Sequence, residues 1–293
     1  MARTRKFKET IIIKVIVVIL IYILITTLYT AVGIRIFESL PKFFNEAISM
    51  MLYQLLYSII NILFFGIWFL RDSRSNKNEL VPRRGDFGVV PAICLVVGLY
   101  AGTITGNGLL LVTGVYDNGD FYNELTEIFA KAPLFLEILT VAIVAPITEE
   151  LIFRGLIFKN LRRKYNFWLA SIITTLIFVI AHGNVYQGLA IFPISMFFAY
   201  LYERFGKIWV PMVAHIWNNL LATIMGRMIS QDVQMEEIGV GMPEELLPIM
   251  MVAVGGIIVI FGGTLLFLMS LCIYKSKYPK NLEKRKMTKP VPM

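Results

Sequence analysis

The chain has 293 residues, of which 57% are hydrophobic, and it carries a formal net charge of +8 at pH 7. Soluble domains average about 45–50% apolar residues on a count that includes glycine. This composition excludes an ordinary soluble domain and indicates an integral membrane protein. The two cysteines, Cys94 and Cys272, both fall within apolar runs, which excludes a disulfide framework and a paired-cysteine metal site.

Several apolar runs are long enough to span a bilayer, which takes about 17–25 helical residues. The first run follows a short basic segment, and we expect a retained helix because its apolar part is too long for a signal peptide. The runs lie at 11–32, 49–70, 88–115, 133–158, 167–183, 187–203, 207–228 and 246–274. The predicted fold class is therefore all-α, a polytopic membrane protein of about eight transmembrane helices that form one domain over 1–274.

Positive charge is distributed unevenly along the chain. If the N-terminus is cytoplasmic, 22 of the 28 lysines and arginines fall on cytoplasmic segments, whereas the outer segments 116–132 and 229–245 are acidic. This distribution follows the positive-inside rule, so we expect both termini in the cytoplasm of a cell-membrane protein. The basic charge would then face anionic lipids rather than nucleic acid. The basic tail 275–293 is predicted to be disordered.

The fourth run carries charges that a membrane span does not need. Each charge near the bilayer centre costs about 2.5–3.5 kcal/mol on insertion scales, and this run contains Glu149, Glu150 and Arg154. Glu150 and Arg154 are four residues apart on a helix, so they share a face and can pair. Glu149 is turned about 100° from Glu150, and we expect it to face a cavity. Pro146, one turn earlier, is expected to kink the helix.

The fifth and seventh runs carry further polar groups. His182 lies at the end of the fifth run with Phe178 one turn before it, and the seventh run places His215 and Asn219 on one face. At a rise of 1.5 Å per residue, these groups and Glu149 lie within one layer roughly 10 Å thick. This agreement in depth predicts one polar site that three helices share.

Two carboxylates, two imidazoles and a carboxamide can together hydrolyse a bond. Glu149 can take a proton from water while a histidine orients that water, and an imidazole and a carboxamide can donate hydrogen bonds to an oxyanion. No serine or cysteine accompanies a histidine–acid pair at this depth, and the HExxH zinc motif is absent. Glu149, His182 and His215 could still form a two-histidine, one-carboxylate zinc site, so the residues alone leave the metal open.

Taken in order, the three motifs resemble those of the CPBP family, the CAAX proteases and bacteriocin-processing enzymes that are also called the Abi family. The resemblance covers about 140–225, within a predicted catalytic core at 133–228. The motifs are EE-x-x-x-R (Glu149, Glu150, Arg154), F-x-x-x-H (Phe178, His182) and H-x-x-x-N (His215, Asn219).

The resemblance implies an intramembrane endopeptidase that hydrolyses a peptide bond of a membrane-associated peptide or protein and needs no cofactor. By that similarity, Glu149 would be the base that activates water with His182, and His215 with Asn219 would form the oxyanion hole. Nothing in the sequence identifies a prenyl site. The residues with a supporting role would be Glu150, Arg154 and Phe178.

Two other classes of function remain open. A proton-coupled transporter could use Glu149 and the histidines as a relay, and inverted repeats with broken helices would favour it, but the sequence shows no such symmetry. A non-catalytic regulator on the same scaffold would be favoured by the loss of Glu149 or of a motif histidine. All of these residues are present, so the sequence favours the peptidase.

Overall fold

The structure is a computed structural model that describes residues 2–39, 46–75, 89–113, 128–129, 131–232 and 247–275. The predicted tail beyond residue 275 and most of the two acidic outer segments lie outside these residues. Regular structure in the described ranges is helical, without strands. The helices are α1 (Ala2–Ser39), α2 (Glu46–Ser75), α3 (Val89–Thr113), α4 (134–162), α5 (Phe167–Ala181), α6 (Val185–Phe205), α7 (Trp209–Asp232) and α8 (Leu247–Lys275).

The all-α class and the multi-pass membrane architecture are confirmed. In the described ranges, four helices are long and apolar enough to cross a membrane, and α5 is a shorter apolar helix. The exact number of eight spans stays a prediction. The four long candidates are Thr10–Gly33, Glu46–Ser73, Val89–Thr113 and Val252–Ile273.

Helix α4 changes its winding along its length. The segments Ile138–Val144 and Glu150–Phe158 are π-helical, and the α-helical segment Ala145–Glu149 separates them. Pro146 lies in the first turn of that separating segment. Proline cannot donate the usual backbone hydrogen bond, and membrane helices absorb this loss by local π adjustments. The kink expected at Pro146 stays a prediction, and the structure has π-helical winding on both sides of the segment that contains it.

Helix α6 lies between two apolar cores. On one side, Ala199 and Tyr202 join a cluster that α1, α2, α4 and α5 complete around Phe153 and Phe158. On the other side, α6 packs with α3, α7 and α8. The side chains of α6 in this second cluster include Ile194, Phe197, Phe198, Leu201 and Phe205. Because α6 contacts both clusters, it fixes α4 relative to the rest of the bundle.

Glycines allow α3 and α8 to approach each other closely. A Cβ atom at Gly255 would lie 2.9 Å from the backbone nitrogen of Val112 and 3.0 Å from the carbonyl oxygen of Gly108. Small residues at such contacts let helix backbones pack directly in a membrane, where lipid offers no hydrophobic force to drive them together.

The outer faces of the helices are apolar. On α8, the side chains of Ile257 and Ile260 are 68% and 71% exposed, and Ile180 on α5 is 75% exposed. These three belong to a larger set of exposed apolar side chains on the helices. Such an extended apolar surface indicates contact with lipid rather than water. The chain is therefore a multi-pass membrane protein.

Topology can be tested with two matched lysine positions. The charge distribution predicts that exposed Lys207, between α6 and α7, is cytoplasmic and that exposed Lys131, before α4, is outside. In a variant without Cys94 and Cys272, we expect an impermeant maleimide added to intact cells to label Lys131→Cys and not Lys207→Cys. Labelling at position 207 alone would invert the topology.

Candidate active site

A buried ion pair forms the base of the site. The guanidinium Nη1 of Arg154 lies 3.1 Å from Oε1 of Glu150, and both side chains are fully buried. Nη2 of Arg154 donates to the carbonyl oxygen of Ser195 at 2.9 Å and to its hydroxyl at 2.7 Å. The guanidinium also lies over the rings of Phe178 and Phe198, at 4.8 and 5.5 Å. The predicted pairing is confirmed, with the extra hydrogen bonds that a buried ion pair requires.

His215 connects this pair to the second carboxylate. Its Nδ1 lies 3.0 Å from Oε1 of Glu150, and its Nε2 lies 3.6 Å from Oε2 of Glu149. Its ring stacks on Phe198 with centroids 4.6 Å apart. A carboxylate only accepts hydrogen bonds, so Nδ1 is the donor to Glu150. The Nε2 distance exceeds that of a hydrogen bond, which leaves this nitrogen available to another partner.

The two neighbouring glutamates have different surroundings. The Glu149 side chain is 25% exposed, whereas that of Glu150 is fully buried. Glu149 lines a cavity of about 250 Å³. The expectation that Glu149 faces a cavity while Glu150 pairs with Arg154 is confirmed. Only Glu149 can therefore meet a water molecule or a substrate from that cavity.

His182 lines the same cavity as Glu149. It follows the last residue of α5, and the helix ends there because Gly183 adopts a left-handed φ of 67°. Its Nδ1 lies 2.8 Å from the carbonyl oxygen of Phe178, so Nδ1 donates and Nε2 keeps its lone pair. The Phe178 ring packs against the imidazole with centroids 4.5 Å apart, as the spacing predicts.

Asn219 contacts the backbone of α4 beside the proline. Its Nδ2 donates to the carbonyl oxygen of Val141 at 3.2 Å. In π-helical winding a carbonyl accepts from the N–H five residues later, which for Val141 is Pro146, and proline has no N–H. The Asn219 carboxamide therefore supplies the missing donor. Its second N–H hydrogen is not used by this bond.

A zinc site would need Glu149, His182 and His215 to point at one common position. Within the described ranges, no group of three or more His, Cys, Asp or Glu side chains is arranged to hold a metal ion. His215 turns its two nitrogens toward Glu150 and Glu149, while Nδ1 of His182 bonds a carbonyl. These residues do not fit a shared zinc site, and the metal-free route stays a prediction.

Sequence reasoning missed the far side of the cavity, which we call the hydroxyl wall. Its residues come from α1 and α2, and a signal for them exists, because Tyr22, Thr26 and Tyr29 follow the i, i+4, i+7 spacing of one helix face. Tyr53 and Tyr57 are likewise i and i+4. The wall consists of Tyr22, Thr26, Tyr29, Thr30, Tyr53, Gln54, Tyr57 and Ser58.

Residues 131–221 match a family model described as type II CAAX prenyl endopeptidase Rce1-like. This segment contains all the motif residues and excludes the hydroxyl wall. No solved structure matches the chain.

Curated relatives are similar to part of the chain. "Putative membrane peptidase YdiL" of Bacillus subtilis is 34% identical over 129 residues, which are 44% of this chain and 52% of the relative. "Uncharacterized 24.3 kDa protein" of Escherichia coli is 32% identical over 111 residues, 35% of this chain and 51% of that protein. UPF0177 protein YbdJ of Lactococcus lactis is 28% identical over 108 residues, 36% of this chain and 46% of that protein. The chain thus spans about half the length of the curated relatives it matches.

The buried ion pair predicts a large stability difference between two glutamate variants. Glu150→Gln leaves Arg154 as a buried, unneutralised charge, which costs about 3–5 kcal/mol. The control Glu203→Gln breaks a more accessible pair with Arg162 and should cost about 1 kcal/mol or less. The free energy of unfolding of both variants is measured in detergent. If both lost the same amount relative to the wild-type protein, the Glu150–Arg154 pair would contribute no more to stability than the more accessible pair.

Proposed function

We propose that this chain is a CPBP-family intramembrane, glutamate-dependent endopeptidase that acts on a membrane-associated peptide or protein. The match of residues 131–221 to the Rce1-like family model and the similarity to "Putative membrane peptidase YdiL" support the proposal. One observation carries the proposal. Glu149 and His182, from two different helices, line one cavity, while the neighbouring Glu150 is neutralised by Arg154. A carboxylate and an imidazole that line the same small space can act as a base and its partner.

The reaction begins with a water molecule between Glu149 and His182. The carboxylate and Nε2 of His182 both accept hydrogen bonds, so together they orient the two hydrogens of one water and direct its oxygen lone pair at the peptide carbonyl. Glu149 takes one proton as the carbon–oxygen bond forms. The tetrahedral intermediate then breaks its carbon–nitrogen bond, and Glu149 returns the proton to the leaving amine.

His215 and Asn219 are the proposed donors to the oxyanion. Nε2 of His215 is 3.6 Å from Glu149. Because Nδ1 donates to Glu150, Nε2 can donate to an oxygen beside Glu149 only when both ring nitrogens carry a hydrogen. Asn219 has a second N–H besides the one bonded to Val141. Donors held before the reaction stabilise developing charge without reorganising. Glu150 and Arg154 support this arrangement, because Glu150 fixes Nδ1 of His215.

Anionic lipids are the proposed partners at the cytoplasmic end of the bundle. Buried Asp72 lies 3.2 Å from the ammonium group of Lys159, 3.6 Å from the guanidinium of Arg163 and 3.8 Å from Lys14. One carboxylate among three cations leaves net positive charge at this end. Such charge attracts anionic head groups, and the proposed partners do not include nucleic acid.

The role of Glu149 predicts a loss of cleavage without a loss of fold. Glu149→Gln keeps the shape of the side chain but removes the proton acceptor, so hydrolysis should fall by about 10²–10⁴. Peptides from membranes of cells with the intact protein and with Glu149→Gln are compared by mass spectrometry, with Glu203→Gln as the matched control. Cleavage at the full rate by the Glu149→Gln protein would contradict the assignment of Glu149 as the general base.

The metal-free route makes a separate prediction. Purified enzyme should keep its activity after exhaustive dialysis against a strong chelator, because a glutamate base needs no metal-bound water. Metal analysis of the same sample shows whether the dialysis was complete. Activity that is lost and then restored by stoichiometric zinc would overturn this prediction.

A further inference from the structure

The hydroxyl wall lines the same cavity as the proposed catalytic pair, Glu149 and His182. Eight residues of α1 and α2 form it, and all carry a polar group: four tyrosines, two threonines, one serine and one glutamine. Polar side chains that face a cavity inside membrane helices are expensive and mark substrate pathways. The wall also lies outside the residues matched by the family model, so it is a feature of this chain's own flank.

Hydrogen bonds between α1 and α2 fix the wall in place. The hydroxyl of Tyr29 donates to the carbonyl oxygen of Tyr53 at 2.8 Å, and the hydroxyl of Tyr53 donates to the carbonyl oxygen of Tyr29 at 2.9 Å. Their rings lie 4.4 Å apart. Each hydroxyl uses its hydrogen in this exchange, and the Tyr53 oxygen also accepts from Thr30, which leaves it one lone pair for another bond. The wall thus presents acceptors at defined positions.

The second pair of hydroxyls adds to this surface. Thr26 donates to the carbonyl oxygen of Tyr22 at 2.8 Å, so its 2.7 Å contact with Tyr57 is a bond that the Tyr57 hydroxyl donates. The Tyr57 hydroxyl is also hydrogen-bonded to Tyr22, so one lone pair is left to accept a further bond. Gln54 contributes a carboxamide that both donates and accepts. The wall can therefore serve N–H and C=O groups alike.

A peptide bond must leave its helix before water can attack it. An unwound segment at membrane depth loses its internal hydrogen bonds, and each unsatisfied N–H or C=O costs several kcal/mol. Hydroxyl and carboxamide groups can replace those bonds. A cavity of about 250 Å³ is below the roughly 300–1,000 Å³ of sites for whole drug-sized ligands, so it takes a short length of chain.

We propose that the hydroxyl wall is the subsite that binds the main chain of an unwound polypeptide segment next to the bond being cut. This inference rests on the proposed function and names the substrate class of the same site. A prenyl or other hydrocarbon chain does not fit the wall, because it would bury the hydroxyl and carboxamide groups without giving them partners.

Photocrosslinking identifies what occupies the wall. The photoreactive residue benzoylphenylalanine replaces Gln54 in the Glu149→Gln protein, and membranes of expressing cells are illuminated. The control places it at Leu56, whose side chain is 53% exposed on the same helix. We expect polypeptide adducts at position 54 and lipid adducts at position 56. Only lipid adducts at position 54, or the same adducts at both positions, would overturn the proposal.

Kinetics test the hydrogen bonds themselves. The substrate is a synthetic peptide that contains the cleaved bond found in the membrane comparison. Tyr57→Phe and Gln54→Leu should each raise KM by about two- to tenfold, the effect of one hydrogen bond, with kcat nearly unchanged. Tyr100→Phe, on an exposed face of α3, is the control and should leave KM unchanged. Unchanged KM in both wall variants would overturn the proposal.

A modified peptide separates main-chain recognition from side-chain recognition. Replacing an amide next to the cleaved bond by an ester removes one N–H donor, so it should raise KM for the wild-type enzyme. In the wall variant that lacks the acceptor for this N–H, the same replacement should raise KM by a smaller factor. If the ester raised KM by the same factor in the wild-type enzyme and in both wall variants, main-chain binding by the wall would be contradicted. Failure of the proposed function is seen separately, because crosslinked adducts form in Glu149→Gln protein whether or not Glu149 is the base.

Discussion

The ion pair between Glu150 and Arg154 is the interaction on which the site depends. Two charges at membrane depth are tolerated because each neutralises the other and further bonds reach Nη2 of Arg154 and Oε1 of Glu150. Oε2 of Glu150 and Nε of Arg154 have no hydrogen-bond partner among the described residues. Arg154 reaches Ser195 on α6, and Glu150 reaches His215 on α7. Three helices are thus fixed relative to one another by one carboxylate and one guanidinium, both without solvent exposure. The positions of His215 and of α4 follow from this pair.

Adjacent carboxylates can take different roles because a helix points them in different directions. Glu150 is fully buried against a cation, whereas Glu149 remains 25% exposed toward the cavity. The first holds the imidazole of His215, and the second is free to meet water. His182, which follows the last residue of α5, lines the same cavity. Glu149, the proposed base, ends the α-helical segment Ala145–Glu149 and lines the cavity.

Local spacing allowed part of the site to be predicted from the sequence. The Glu150–Arg154 pair and the Phe178–His182 contact follow from separations of four residues, and the depth of each polar group predicted that the helices converge. The π-helical winding was not predicted, because Pro146 indicated a kink and gave no sign of π-helical segments on both sides of it. The contact of Asn219 with the carbonyl oxygen of Val141 joins α7 to α4, which spacing within one helix cannot show. The hydroxyl wall was missed because the spacing of Tyr22 and Tyr53 gives a face of each helix but not the neighbour that face meets.

The central claim is that water, activated by Glu149, attacks the peptide directly. Hydrolysis in the presence of hydroxylamine tests it, since hydroxylamine captures an acyl-enzyme as a hydroxamate but does not compete for a carboxylate-activated water. The expected result is the free acid as product, with no hydroxamate at any hydroxylamine concentration. A hydroxamate product would contradict the account, because it would require a covalent intermediate on a side chain such as Ser58, which lines the same cavity.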